Sequence, residues 1–149
     1  MVSDTAISST IGNDYDVVVI PSGGSITNVG SLFMNAPVPL IVGSRALASQ
    51  HNMGSSNFVN VATNWDVANG TSTLAAAAAL TSGTVAVFDA PYALSDIVHC
   101  STVPETVIAR VTGGNSTSAS FVYYDRGQQM CNSFTAPHVR AFLGFNSGA

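Results

Sequence analysis

The chain contains no lysine, and its four arginines, Arg45, Arg110, Arg126 and Arg140, are scattered against eight acids. Proteins that hold phosphate backbones cluster their cations, so a dispersed set at net charge −4 argues against nucleic acid as a partner. Anionic lipid surfaces are disfavoured for the same reason. Charged residues make up only 8% of the sequence, against roughly 25% in an ordinary soluble domain. The polar surface therefore falls to Ser, Thr, Asn and Gly. Long apolar runs are also missing: the alanine tract "LAAAAAL" at 74–80 is far shorter than the ~18 residues that argue for a membrane span, so no membrane partner is expected. The opening "MVSDTAISST" has neither a basic n-region nor an apolar h-region, so no secretion signal is visible in it.

At 149 residues, with 46% of them hydrophobic, the sequence fits one domain over residues 1–149 with a single core. The absence of lysine, the Ser/Thr/Asn richness and two glycosylation sequons, at Asn69 and Asn115, suit an extracellular segment of a longer secreted chain. Cys100 and Cys131 are the only cysteines. They lack metal-site spacing, so no metal is expected, and they read either as a disulfide or as two small buried hydrophobes. Both fall in polar segments, and the expectation is that they lie close enough to bridge.

Along the chain, residues 16–20 and "VPLIV" at 38–42 are continuous apolar runs, as in strands buried on both faces of a parallel sheet. The sequence predicts residues 17–20 and 40–42 to be adjacent, parallel and central. Between them "SITNVGSLFMNA" reads as a crossover helix. "SRALASQHNMG" reads as a second helix, with Ser44 as N-cap and Gly54 as C-terminal stop. "FVNVA" and "TVAVF" read as strands around an alanine-rich helix. "PETVIARV" and "SASFVYY" flank the turn signal "TGGNST", which predicts an antiparallel hairpin. "APHVRAFLGF" places Val139, Phe142 and Leu143 at helical spacing and predicts a closing helix.

The succession "DYDVVVIPS", "VPLIVGSRAL", "GTVAVF", "PETVIARV", "SFVYYDRGQQM" and "APHVRAFLGF" resembles the class I glutamine amidotransferase-like superfamily, in particular the ThuA-like modules of secreted bacterial proteins. The resemblance runs from about Asp14 to the end and rests on ordered short segments. It implies an α/β fold, a flavodoxin-like three-layer sandwich with a mostly parallel sheet and a C-terminal β-hairpin. The family's first strand–helix unit is not evident, and residues 1–13 are expected to be its remnant or the stub left by a truncation. Active members carry a nucleophilic cysteine on the turn after a central strand. Here that turn is "VGSRA", with Ser44 in the nucleophile's place.

Ser44 is a weak catalytic candidate, because "GSRA" lacks the glycines that let a nucleophile turn expose its hydroxyl. A triad would draw on His51, His99 or His138 with Asp89, Asp96 or Asp125, and a Cys100–His99 pairing is the thiol alternative. "PSGGS" is neither G-x-G-x-x-G nor a Walker loop, so no cofactor is expected. The crevice set is Ser22, Gly23, Gly24, Ser44 and Arg45, with the two loops facing one another across the strand ends. Trp65, with Tyr92, Tyr123 and Tyr124, offers a stacking surface for sugars if exposed, or else packs in the core. The expected function is a non-catalytic extracellular module, structural or binding, with carbohydrate or neighbouring domains of the same chain as partners. The alternatives are a serine- or carboxylate-dependent hydrolase and an all-β surface or assembly protein.

Overall fold

The computed structural model describes residues 15–21, 34–59, 64–67, 83–86, 93–100, 107–111 and 118–146. The crossover helix, the alanine-rich helix, both sequons, the "TGGNST" turn and residues 22–24 lie outside them. The described elements are almost all strands: β1 (Val18–Ile20), β2 (Leu40–Val42), β3 (Gly54–Val59), β4 (Asn64–Val67), β5 (Gly83–Ala86), β6 (Ala93–His99), β7 (Val107–Val111), β8 (Ser118–Ala119), β9 (Phe121–Tyr124), β10 (Arg140–Leu143) and β11 (Phe145–Asn146). One α-helix, α1 (Arg45–Gln50), and a 3-10 turn at Cys131–Ser133 accompany them.

Seven strands form one sheet in the order β1-β2-β10-β9-β7-β4-β5, and β11-β6-β3 form a second, with β8 also paired to β6. Only β2 has parallel neighbours, β1 on one side and β10 on the other; the remaining pairs are antiparallel. One mixed and one antiparallel sheet, with so little helix among the described residues, are not a flavodoxin-like α/β sandwich, and the fold class implied by the family resemblance is overturned.

Two local misreadings explain much of that difference. "APHVRAFLGF" is not a closing helix but the approach to β10, which lies between β2 and β9. Arg140 and Phe142 point into the core, 1% and 0% exposed, so a buried arginine sits where strand alternation would show an apolar residue. With that position read as surface, Val139, Phe142 and Leu143 mimic a helical face. The second difference concerns β1, which is paired parallel to β2 as expected but, among the described strands, stands at the end of the sheet rather than its centre. Val17 and Val19 are 44% and 59% exposed.

β7 and β9 pair antiparallel, as the hairpin expectation required, but β8 leaves that ladder to join β6 and so ties the two sheets together. The core lies along the inner face of the larger sheet, where Val18, Ile20, Leu40, Val42, Val122 and Phe142 pack with Ile97 and Ala119 of the smaller sheet and Leu47 and Ala48 of α1. Each such aliphatic or aromatic side chain contributes about 1.5–3 kcal/mol on full burial. The described helix therefore owes its place to the two inward residues Leu47 and Ala48.

The stop signal of α1 is Asn52, not Gly54. Asn52 has φ 58°, and the Asn52 and Met53 N–H groups donate to the Ser49 and Ala48 carbonyls, the paired bonds of a Schellman ending. Asparagine tolerates this left-handed conformation better than most non-glycine residues. Gly54 instead opens β3, where a Cβ would stand 2.6 Å from the Val98 carbonyl oxygen, so only glycine permits this approach of β3 to β6.

Candidate functional site

The nominated crevice begins where β1 and β2 end. Gly43 N–H donates to the Ile20 carbonyl at 2.8 Å, so the two strand ends are tied together immediately before Ser44. Ser44 occupies the N-cap position of α1 with extended backbone, φ −95° and ψ 131°, but its side chain makes no capping bond. Its carbonyl accepts from Ala48 N–H. Arg45 is half-buried in the first turn of α1. Its charge acts on Asp96 of β6, whose carboxyl is raised by burial and partly restored by the guanidinium. The opposing loop, Ser22, Gly23 and Gly24, lies outside the described residues.

Trp65 belongs to a different part of the molecule. It sits in β4, paired with Val85 and Val111, and three strands, β10, β9 and β7, separate β4 from β2. At about 4.8 Å per strand that is roughly 19 Å across the sheet. The backbone at Trp65 is thus four strand spacings from the strand that leads into Ser44. Tyr124 points into the core at 0% exposed, while its neighbour Tyr123 is half-buried on the other face.

His51 is not hydrogen-bonded to Ser44. His51 is 1% exposed, and neither of its ring nitrogens has a hydrogen-bond partner. Burial, assisted by the Arg140 charge, lowers its pKa from 6.5 to about 4 and keeps it neutral at physiological pH. Val139 N–H donates to His138 Nδ1 at 2.9 Å. Cys100 is joined to Cys131 in a disulfide with a Cα–Cα distance of 5.2 Å, so the thiol alternative beside His99 has no free sulfur. Among the described residues no three His, Cys, Asp or Glu side chains gather as metal ligands.

What the fold does assemble is a buried polar centre that sequence reasoning missed. Arg140, 1% exposed, donates from Nη1 to the carbonyls of Val38 at 2.9 Å and Val139 at 3.0 Å, and from Nη2 to those of Ala36 at 2.8 Å and Met34 at 3.3 Å. Three of those acceptors come from "MNAPVP". Pro37 and Pro39 have no N–H, and each proline holds the residue before it extended, so Ala36 and Val38 turn their carbonyls the same way. The signal in the sequence was the A-P-V-P spacing, a strip of acceptors without matching donors. Burial lowers Arg140 to about 10, which leaves it charged at neutral pH.

Beside it, Tyr124 lies opposite Arg140 across the β9–β10 ladder, and its hydroxyl donates to the Met53 carbonyl. Burial pushes this phenol up to about 12, with the Cys100 backbone acting in the other direction. A neutral imidazole, a neutral phenol and a guanidinium satisfied by carbonyls hold the structure together and place no nucleophile or base at a surface. No family model matches the chain, and no curated protein or solved structure matches it.

Proposed function

We propose that the chain is a non-catalytic module of an extracellular protein, structural or binding, which acts through its folded surface rather than by turnover. One observation carries this reading. His51, the histidine nearest Ser44 in sequence, is buried with both ring nitrogens unbonded, so the Ser44 hydroxyl has no imidazole from that position to activate it. The Cys100–Cys131 disulfide supports an oxidising compartment. Carbohydrate and neighbouring domains of the same chain are the partners proposed, and nucleic acid and membranes are not.

The test is covalent labelling by a fluorophosphonate probe together with turnover of activated esters. Neither labelling nor turnover is expected. Labelling that disappears in Ser44→Ala, with the fold intact, would replace this reading by the serine hydrolase. A second reading, an all-β surface or assembly protein, is favoured by the dominance of strands over the six-residue α1 among the described residues. Sedimentation over a wide concentration range separates the two, because an assembly protein associates with itself as concentration rises.

A further inference from the structure

The corner between α1 and β3 is where the buried polar centre meets the chain that follows β9. Residues 125–136 form a narrow two-stranded arm, closed by Gly127 N–H to the Ala136 carbonyl, Ala136 N–H to the Gln128 carbonyl and a bridge between Gln129 and Thr135. At its tip Asn132 and Ser133 both have left-handed backbone, φ 55° and 57°. Such conformations persist in non-glycine residues only where surrounding contacts impose them.

The bonds at this corner fall on Asn52 and Met53, directly after His51. Cys131 N–H donates to the Asn52 carbonyl at 2.9 Å, and Asn132 Nδ2 donates to Asn52 Oδ1 at 2.8 Å. The Tyr124 hydroxyl holds the Met53 carbonyl. The residue that leads into this seat is His51, fully buried, with two ring nitrogens that bond to nothing. A neutral imidazole fits there. An imidazolium would bring two donors and a positive charge into a site without acceptors for them.

The charged and titratable groups around the site do not relieve that conflict. β10 contributes Arg140, a like charge; β9 contributes Tyr124, a neutral phenol; β6 contributes Asp96 and His99; the arm carries Asp125 and Arg126, both exposed at its base; α1 itself carries Arg45; and β2 and β3 contain no titratable residue. The Arg140 charge is the one that acts on His51, and it opposes protonation.

We propose that the 51–53 corner is an acid-operated latch: proton uptake by His51 releases the arm tip, residues 131–133, from its seat on Asn52, while the Cys100–Cys131 disulfide keeps the tip tethered to the end of β6. The direction follows from linkage. The closed form binds the His51 proton only near pH 4, whereas the opened, hydrated ring binds it near 6.5, so opening is unaffected above pH 6.5 and favoured progressively as pH falls toward 4. The Asn52 seat is shallow: the Asn132–Asn52 side-chain bond is exposed, and the tip has no strand ladder of its own. Local opening therefore precedes loss of the sheets.

Amide hydrogen exchange, expressed as protection factors so that the intrinsic pH dependence is removed, reads this directly. Between pH 7 and pH 5 the Cys131 and Met53 amides of the wild-type chain are expected to lose about twentyfold in protection, while the Leu40 amide, bonded to the Val139 carbonyl in the sheet, keeps its own. His51→Phe should abolish the loss and His138→Phe should preserve it. If His51→Phe does not fold, His51→Gln serves, and by NMR the wild-type His51 ring must titrate well below 6.5, near the pH at which the loss of protection levels off. Unchanged Cys131 protection at pH 5, an equal loss at Leu40, a loss that persists without His51, or a His51 ring that titrates near 6.5 in the folded chain would each overturn the latch.

Discussion

β1 and β10 flank β2 on its two sides, both parallel to it and in one register, with Val18 and Arg140 each opposite Leu40. Their sequences suggest opposite fates from the ones they meet. The all-aliphatic strand leaves Val19 59% exposed, whereas the strand that carries an arginine has that arginine 1% exposed. Burial here is set by what lies beyond the strand, not by the strand's own hydrophobicity. β10 has β9 on its far side and the proline-rich segment supplying acceptors to its charge, while β1 ends the sheet.

The most severe way to break this comparison is to remove the buried charge. Arg140→Met keeps a long unbranched side chain but deprives the Met34, Ala36, Val38 and Val139 carbonyls of their shared donor. The Val139 carbonyl keeps the Leu40 N–H, but each of the other three left unbonded costs about 1–3 kcal/mol and removal of the desolvated charge offsets part of that sum, so the expected loss is on the order of 3–5 kcal/mol by chemical denaturation. Arg140→Lys should recover only part of it, because an ammonium lacks the planar fork that reaches several carbonyls at once. A loss below about 1 kcal/mol in Arg140→Met would mean that the guanidinium is a passenger in the core.

Next in size is the disulfide. Cys100 and Cys131 are 31 residues apart, and closing a loop of that length restricts the unfolded chain by roughly 3–4 kcal/mol in the chain-entropy account. Replacing both by serine should lower stability by that order and move the denaturation midpoint down, with a slope that rises as the unfolded chain expands. An unchanged midpoint would indicate that the loop is already constrained when unfolded.

These two effects also mark what the sequence made legible. The paired apolar runs around residues 18–20 and 40–42 announced two strands and their parallel pairing, because β-branched residues before a proline or glycine have few other uses. The two cysteines joined by the disulfide were equally open to nomination, since there are no others. The fold class was not legible. Residue 140 reads as polar in any hydropathy pattern, and only the acceptors of a distant segment, contributed by residues 34, 36 and 38, turn it into a core position. The terminal place of β1 among the described strands was equally hidden, as an apolar run reports strand propensity but not how many neighbours the strand has. For the candidate site, Ser44 was placed correctly at the head of α1 in the chain, but the absence of a capping bond depends on side-chain direction, which no spacing rule supplies.

That absence makes the third prediction small. Replacing a serine that bonds the first turn costs about 1 kcal/mol, but the Ser44 side chain makes no such bond. Ser44→Ala is therefore expected to change stability by no more than about 0.5 kcal/mol. A loss near a full kilocalorie in thermal denaturation would show that the hydroxyl caps α1 in solution.

The smallest effect is expected at the other side of β2, and it sharpens the comparison most. Val19 faces outward on the end strand, so Val19→Lys should alter stability by less than about 0.5 kcal/mol, although it places a charge in the most aliphatic run of the chain. The same substitution at Val42, opposite Ile20 and 0% exposed, would strand an ammonium in the core. Lysine on a sheet edge also discourages edge-to-edge pairing, because its charge must be desolvated when another strand docks. Val19→Lys should then lower any self-association of the native chain seen at high concentration, while the unfolding transition stays where it was. If instead the unfolding midpoint falls by more than about 1 kcal/mol, Val19 is covered in solution, and β1 and β10 are not the contrasting neighbours of β2 that their exposures indicate.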